Sequence, residues 1–314
     1  MRKFCLMAIL PFALLACNRP EVKEPSSEIG FASQTTRAIV EGKEDLYTAD
    51  IKIFGTLNVD GTILRLFDAE KLYYNSALAD WDYDNTRYWT PQLEHRFCAL
   101  WPYDTACTFS DNEAVVTINH TAEADGADLL YAVSSRTPIN DEDYSAVSLN
   151  FNHACAAVQF NIINASDREV YSVSNIYLVG LKNKGAFTFG VDGSAEWSLD
   201  DSVVDQDDDS TYGGRTDLQH LPVDLNQKQS LYTDGAIIVL PQEIVDTDVK
   251  IHFEITQQAT DSPEPKEIML GQIGGSAPTK WEAGKRYEYT MTITENSIVS
   301  NVKVVPWVDY YVDL

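Results

Sequence analysis

Two stretches late in the chain alternate, residue by residue, between apolar and polar side chains. In "VKIHFEIT", Val249, Ile251, Phe253 and Ile255 point one way and Lys250, His252, Glu254 and Thr256 the other. In "YEYTMTIT", Tyr287, Tyr289, Met291 and Ile293 oppose Glu288, Thr290, Thr292 and Thr294. A period of two is that of a β-strand, and it gives the strand one buried face and one wet face. His252, on the polar side, is accordingly expected to be solvated. Further strands are predicted over 51–59, 63–67, 114–118, 129–134, 157–163, 176–181 and 236–240, and no stretch carries a convincing long helical period. Short strands separated by turn residues predict an all-β chain of β-sandwiches.

The chain begins with Arg2 and Lys3, followed by an apolar run over 4–16, which is a charged region leading into a hydrophobic one. Thirteen residues are too few to span a bilayer as a helix. Leu14, Leu15, Ala16 and Cys17 resemble the signal of bacterial lipoproteins, in which a small residue precedes the cysteine that is lipidated and becomes the first residue. Residues 1–16 are therefore expected to be a signal peptide. Lipid on Cys17 would hold the chain to a membrane, each buried methylene contributing about 0.8 kcal/mol. Residues 17–37 read as a tether, short of large apolar residues and rich in Pro, Glu and Ser. The acidic, Pro-containing stretch at 136–146 interrupts the strand pattern, and the chain divides there into domains over 38–145 and 146–314.

Lys and Arg number 23 against 48 Asp and Glu. Nothing in so acidic a chain offers a basic patch to displace counterions, so nucleic acid is not an expected partner. The five histidines, His95, His120, His153, His220 and His252, are scattered without metal-ligand spacing. Cys98, Cys107 and Cys155 form no CxxC pair; a Cys98–Cys107 disulfide and reduced core thiols fit the spacing equally. Asp205, Asp207 and Asp209 alternate like an EF-hand loop, but Ser210 stands where glycine is needed and Thr216 where a bidentate glutamate belongs. A solvated loop is the expectation there, with an irregular calcium loop as the alternative. No nucleophile elbow, phosphate loop or dinucleotide fingerprint occurs, so the expectation is a protein that is not an enzyme and has neither cofactor nor metal.

Several segments taken together resemble the fimbrillin family. They are "ACN" after the leader, "TTRAIV" at 35–40, "FCALWPY" at 97–103, "FNHACAAVQFNI" at 151–162, "IIVLPQ" at 237–242, "WEAGKRYEYTMTI" at 281–293 and "VVPW" at 304–307. The resemblance implies two transthyretin-like β-sandwich domains and export as a lipoprotein to the outer membrane and surface fimbriae. It also implies trimming after Arg37, leaving Ala38 as the new first residue. In the family, loss of the first strand opens a groove that a strand from a neighbouring subunit fills, so the implied partners are other fimbrial subunits. The donor candidate is the segment at 301–314, with Val302, Val304, Trp307, Val308, Tyr310 and Val312 as its apolar positions. Up to Trp307 the same residues also read as the last strand of their own domain.

The stretch "DWDYDNTRYWT" at 80–90 interleaves aromatic rings with carboxylates. Trp81, Tyr83, Tyr88 and Trp89 are candidate contacts for a host or bacterial surface glycan or protein, and core packing is the alternative. The rival overall reading is a permanently lipid-anchored, monomeric glycan-binding lipoprotein.

Overall fold

A computed structural model of the chain describes residues 28–34, 50–140, 143–166, 171–205, 211–215, 222–223, 226–233, 235–257, 262–273, 277–295 and 297–307. Its architecture is all-β. In chain order the first strands are β1 (Phe31–Gln34), β2 (Ile51–Val59), β3 (Thr62–Asn75), β4 (Asp80–Tyr83), β5 (Glu94–Trp101), β6 (Thr108–Ser110), β7 (Val115–Thr121), β8 (Leu130–Arg136), β9 (Val147–Asn150) and β10 (Asn152–His153). They are followed by β11 (Ala156–Asn164), β12 (Tyr171–Val179), β13 (Lys184–Gly190), β14 (Ala195–Leu199), β15 (Pro222–Val223), β16 (Lys228–Ser230) and β17 (Ala236–Val239). The last are β18 (Gln242–Glu243), β19 (Lys250–Gln257), β20 (Pro263–Met269), β21 (Lys280–Trp281), β22 (Lys285–Ile293) and β23 (Ile298–Pro306).

An eight-stranded sheet runs β10-β8-β5-β2-β3-β4-β1-β9. Its two ends, β10 and β9, are separated in sequence by Phe151 alone, so the sheet must roll back on itself. Inside lie Ile51, Ile53, Phe67, Leu72, Phe97, Leu130, Val147, Leu149 and Phe151, all buried. The second core lies between two other sheets, β16-β11-β22-β23 and β15-β12-β19-β20. Phe160, Ile162, Tyr289 and Met291 from the first meet Val173, Leu178, Ile251 and Phe253 from the second, as the alternating patterns require.

The two halves share a third core. Strand β7 pairs antiparallel with β13 over seven residues, from Lys184↔Thr121 to Gly190↔Val115, within the sheet β14-β13-β7-β6. Val116, Ile118, Phe187 and Phe189 from this sheet pack with Phe54, Cys98 and Leu100 from the first half and Ala157, Ile238 and Trp307 from the second. The division drawn at 145/146 also moves. Strands β9 and β10 lie after it, yet complete the first sheet by pairing with β1 and β8. Turn composition marks a break in local pattern, whereas membership of a sheet is decided by a distant partner.

Among the described residues no helix is long and apolar enough to cross a membrane, and no group of His, Cys, Asp and Glu is arranged to hold a metal ion. Cys98, Cys107 and Cys155 are free thiols, so the Cys98–Cys107 disulfide does not form. Cys98 instead donates to the Ala114 carbonyl at 3.1 Å, and burial pushes its pKa up to about 12. His252 is the other correction. It is buried rather than solvated, its ring stacked on Tyr177 at 4.5 Å between centroids. Tyr177 lies on the adjacent strand, opposite His252 in register, and covers it.

Candidate functional site

The segment read as a tether contributes a strand. Ile29 and Phe31 are two residues apart, the spacing that puts both side chains on one face of an extended chain, and both are buried, at 1% and 2% exposure. Strand β1 lies between β4 and β9. It is antiparallel to the first, with Phe31 opposite Trp81, and parallel to the second, from Phe31↔Val147 to Gln34↔Asn150.

The seat of Phe31 is aromatic. Its ring meets Phe67, Tyr83 and Phe97 edge-on, with centroids at 5.5, 5.7 and 5.8 Å. Such pairs add about 0.5–1.5 kcal/mol each beyond area burial. Gly55 makes the seat possible, because a Cβ there would lie 2.7 Å from the Phe67 ring. The register of β2 against β3 shifts at this glycine, and side chains reach inward past it.

The segment at 83–88 clasps the entry to β1. Tyr83 donates its hydroxyl hydrogen to the Ile29 carbonyl at 2.8 Å, and the Ile29 N–H donates to the Arg87 carbonyl at 2.9 Å. Both backbone groups of Ile29 are thereby satisfied. Partial burial raises the Tyr83 pKa above its usual value, which keeps the phenol protonated and able to donate. Arg87 is fixed in turn: its guanidinium donates to the Leu66 carbonyl at 3.1 Å and the Glu70 carboxylate at 2.7 Å, and lies over the Phe67 ring. On the far side the Val147 N–H donates to the Gly30 carbonyl at 2.8 Å.

This arrangement places the four aromatic ligand candidates. Trp81 and Trp89 are buried in the first core, and Tyr83 is held by its bond to Ile29. Trp89 packs against His95 at 4.8 Å and Phe97 at 6.0 Å, under the guanidinium of Arg136. Core packing, the alternative weighed for these rings, accounts for three of them, and Tyr88 is exposed. The aromatic stretch and the tether, separate in the sequence, are one site: the first lines the groove that the second fills. Only the pairing of large residues two apart, "EIGFA", could have announced the strand.

Among the donor candidates, Val302 and Val304 sit in β23, opposite Tyr289 and Tyr287 of β22. The strand is an edge, with Val299 and Val304 exposed. Trp307 is buried, stacked on His153 at 3.9 Å between centroids and an interplanar angle of 13°. Cys17, Arg37, Ala38, Val308, Tyr310, Val312, Asp207, Asp209 and His220 lie outside the described residues.

A cleft of about 420 Å³ opens between β20 and β23, with Glu264, Glu267 and Glu295 on its walls. Glu264 is paired with Lys266, and the bond from Lys250 holds the Glu267 carboxyl below its usual pKa.

Residues 36–307 match the family described as fimbrillin-like. The fold is similar to that of a fimbrial protein from Bacteroides vulgatus, 18% identical, with a TM-score of 0.64 over 90% of this chain and 99% of that one. It is also similar to two candidate cell adhesion proteins. The one from Bacteroides uniformis is 16% identical, with a TM-score of 0.54 over 90% of this chain and 100% of that one. The other, from Bacteroides ovatus, is 15% identical, with a TM-score of 0.53 over 90% of this chain and 97% of that one. No curated protein matches the chain.

Proposed function

This chain belongs to the fimbrillin-like family, and from that premise we propose that it is a structural or accessory subunit of surface fimbriae that contributes to adhesion and assembles with other subunits by strand donation. The observation that carries the reading is the position of β1. It precedes Arg37 in sequence and fills a groove between β4 and β9. Cleavage after Arg37 would sever β1 from the rest of the chain.

Loss of β1 would uncover the Phe67, Tyr83 and Phe97 rings and leave the facing edges of β4 and β9 without partners. Bare strand edges and exposed aromatic surface are both unfavourable in water, and a strand from another chain relieves them together. Head-to-tail insertions of this kind do not close, so they extend a fibre. The segment around 301–314 is the donor in this reading, and residues 38–145 and 146–314, adjusted for β9 and β10, are its two transthyretin-like sandwiches. Export proceeds as a lipoprotein, with lipid on Cys17 holding the precursor to the outer membrane until Arg37 is cut. The chemistry needs no cofactor.

The test is the mature N-terminus of protein taken from the cell surface, by intact mass and peptide sequencing. A chain starting at Ala38, running as heat-resistant ladders on a gel, is expected. A chain starting at an acylated Cys17 would replace the shaft subunit with an anchoring one or with the monomeric lipoprotein.

A further inference from the structure

The groove and the C-terminal end of β23 are joined by one short run of chain. Strand β9 has a single ladder partner among the described residues, and it is β1. From β9 the chain passes through Phe151 directly into β10, which has two register pairs with β8. Burial alternates without interruption along this run: Val147, Leu149, Phe151 and His153 are buried, and Ser148, Asn150 and Asn152 are exposed. The run therefore behaves as one extended element whose front half is held by β1.

Its rear end carries an unusual contact. The His153 imidazole donates through Nδ1 to the carboxylate of Asp128, with side chains 1% and 3% exposed. The other oxygen of Asp128 accepts from the Leu129 N–H at 2.8 Å. Trp307, the residue that follows β23, lies flat on the same imidazole. Trp307 also belongs to the core shared by the two halves. Five residues thus separate Val147, beside Phe31, from His153, whose ring supports Trp307.

We propose that the β9–β10 run couples occupancy of the β1 groove to the anchoring of Trp307. With the groove filled, β9 is paired, the run is straight and pinned, and His153 presents its face to Trp307. With the groove empty, β9 loses its ladder with β1, and Val147 and Leu149 lose the strand beside them. The backbone at His153 is then held only from its rear, by the two pairs between β10 and β8 and by the bonds of Ala154 to the Leu129 carbonyl and the Trp197 indole, and the support under Trp307 loosens. The bistable element is β9 itself, paired or unpaired, and both ends bias it. Its use in assembly rests on the strand-exchange reading: a subunit whose groove is empty would hold the root of its own C-terminal segment loosely, and one whose groove is filled would hold it firmly.

The experiment uses the full chain. Phe31→Asp places an uncompensated carboxylate in the aromatic seat and expels β1. Amide hydrogen exchange is then followed by mass spectrometry in 147–153, in 303–307 and, as a reference, in 158–163 of β11. Exchange about tenfold or more faster in both of the first two segments, with the reference unchanged, is expected. A synthetic peptide of residues 26–36, in excess, is expected to restore both. In His153→Ala the 303–307 segment is expected to exchange fast whether β1 is seated or not.

Faster exchange in 147–153 with wild-type protection in 303–307 would overturn the coupling and leave the groove reading intact. A peptide that restores neither segment would count against strand exchange, while the coupling is judged on the variant alone. Where Phe31→Asp also loses protection in 158–163, the milder Phe31→Ala is compared in the same three segments and judged by the same outcomes.

Discussion

Tyr83 shows how much a single residue does at the groove. Its ring faces Phe31 and Phe67, at 5.7 and 5.2 Å, while its hydroxyl joins the Ile29 carbonyl to the Arg87 N–H, the latter at 3.2 Å. Tyr83→Phe keeps the ring and removes both bonds. The expected cost is about 1 kcal/mol for the lost hydrogen bonds, read as faster amide exchange over 28–34 with little change elsewhere. His95 acts at the same scale through protonation. Its Nδ1–H donates to the Leu93 carbonyl at 3.0 Å, and its Nε2 accepts from the Thr90 N–H at 3.3 Å, so the ring is neutral with both nitrogens used. Burial lowers its pKa from the usual 6.5. A histidine whose pKa is lower in the folded state gives stability that is present above pH 6.5 and lost as pH falls below it, because the unfolded chain takes up the proton first. Urea midpoints are expected to fall between pH 7 and pH 5.5, and His95→Gln to flatten that slope. The sequence displays Tyr83 and His95 as residue types in plain view. Which way each one faces depends on Ile29 and Leu93, and composition carries no such information.

Strands reveal themselves in sequence to the extent that their partners share their pattern. The interior strands β2, β11, β19 and β22 were legible because alternation or a continuous apolar run marks each of them locally. Strand β1 was hidden, since its four residues, "FASQ", carry a single large apolar side chain. Its identity comes from the seat it occupies, which is assembled from residues 55, 67, 83 and 97, far from it in sequence. Strand β14 was equally hidden: "AEWSL" becomes a strand by pairing with β13 over five residues. The weight carried by β1 is testable through Phe31→Ala. Removing a fully buried phenylalanine typically costs about 3–5 kcal/mol when the site cannot collapse. Phe67 and Phe97 are themselves packed rings, so the cost is expected in that range. It should appear as loss of β1 protection and as cleavage by trypsin after Arg37 at lower enzyme concentration than in the wild type.

Across the whole molecule, the decisive feature is the core that neither half owns. Tyr131 of β8 meets Phe187 and Phe189 of β13, each at 5.1 Å between centroids, and Phe187 meets Trp197 of β14 at the same distance. Trp197 in turn donates its indole N–H to the Ala154 carbonyl at 2.7 Å, at the point where the chain passes from the first sheet to the second core. Independent domains joined by a linker share little buried surface and unfold separately. Here β7, from the first half, is held by a ladder from the second, so loss of either half strips a sheet from the other. Cooperative unfolding as one unit is therefore expected, with fluorescence and far-ultraviolet circular dichroism giving coincident urea transitions. Phe187→Ala distinguishes this from two separate domains. Truncating a ring that is 2% exposed in the shared core is expected to cost about 3–5 kcal/mol, lowering the single midpoint while the two probes stay coincident. Two domains that merely touch would respond with a split, one probe shifting and the other holding its wild-type midpoint. A fibre subunit pulled from both ends would carry load through this junction. The β7–β13 ladder crosses it with seven register pairs rather than a flexible linker, so the shared sheet would bear that tension in series with the two other cores.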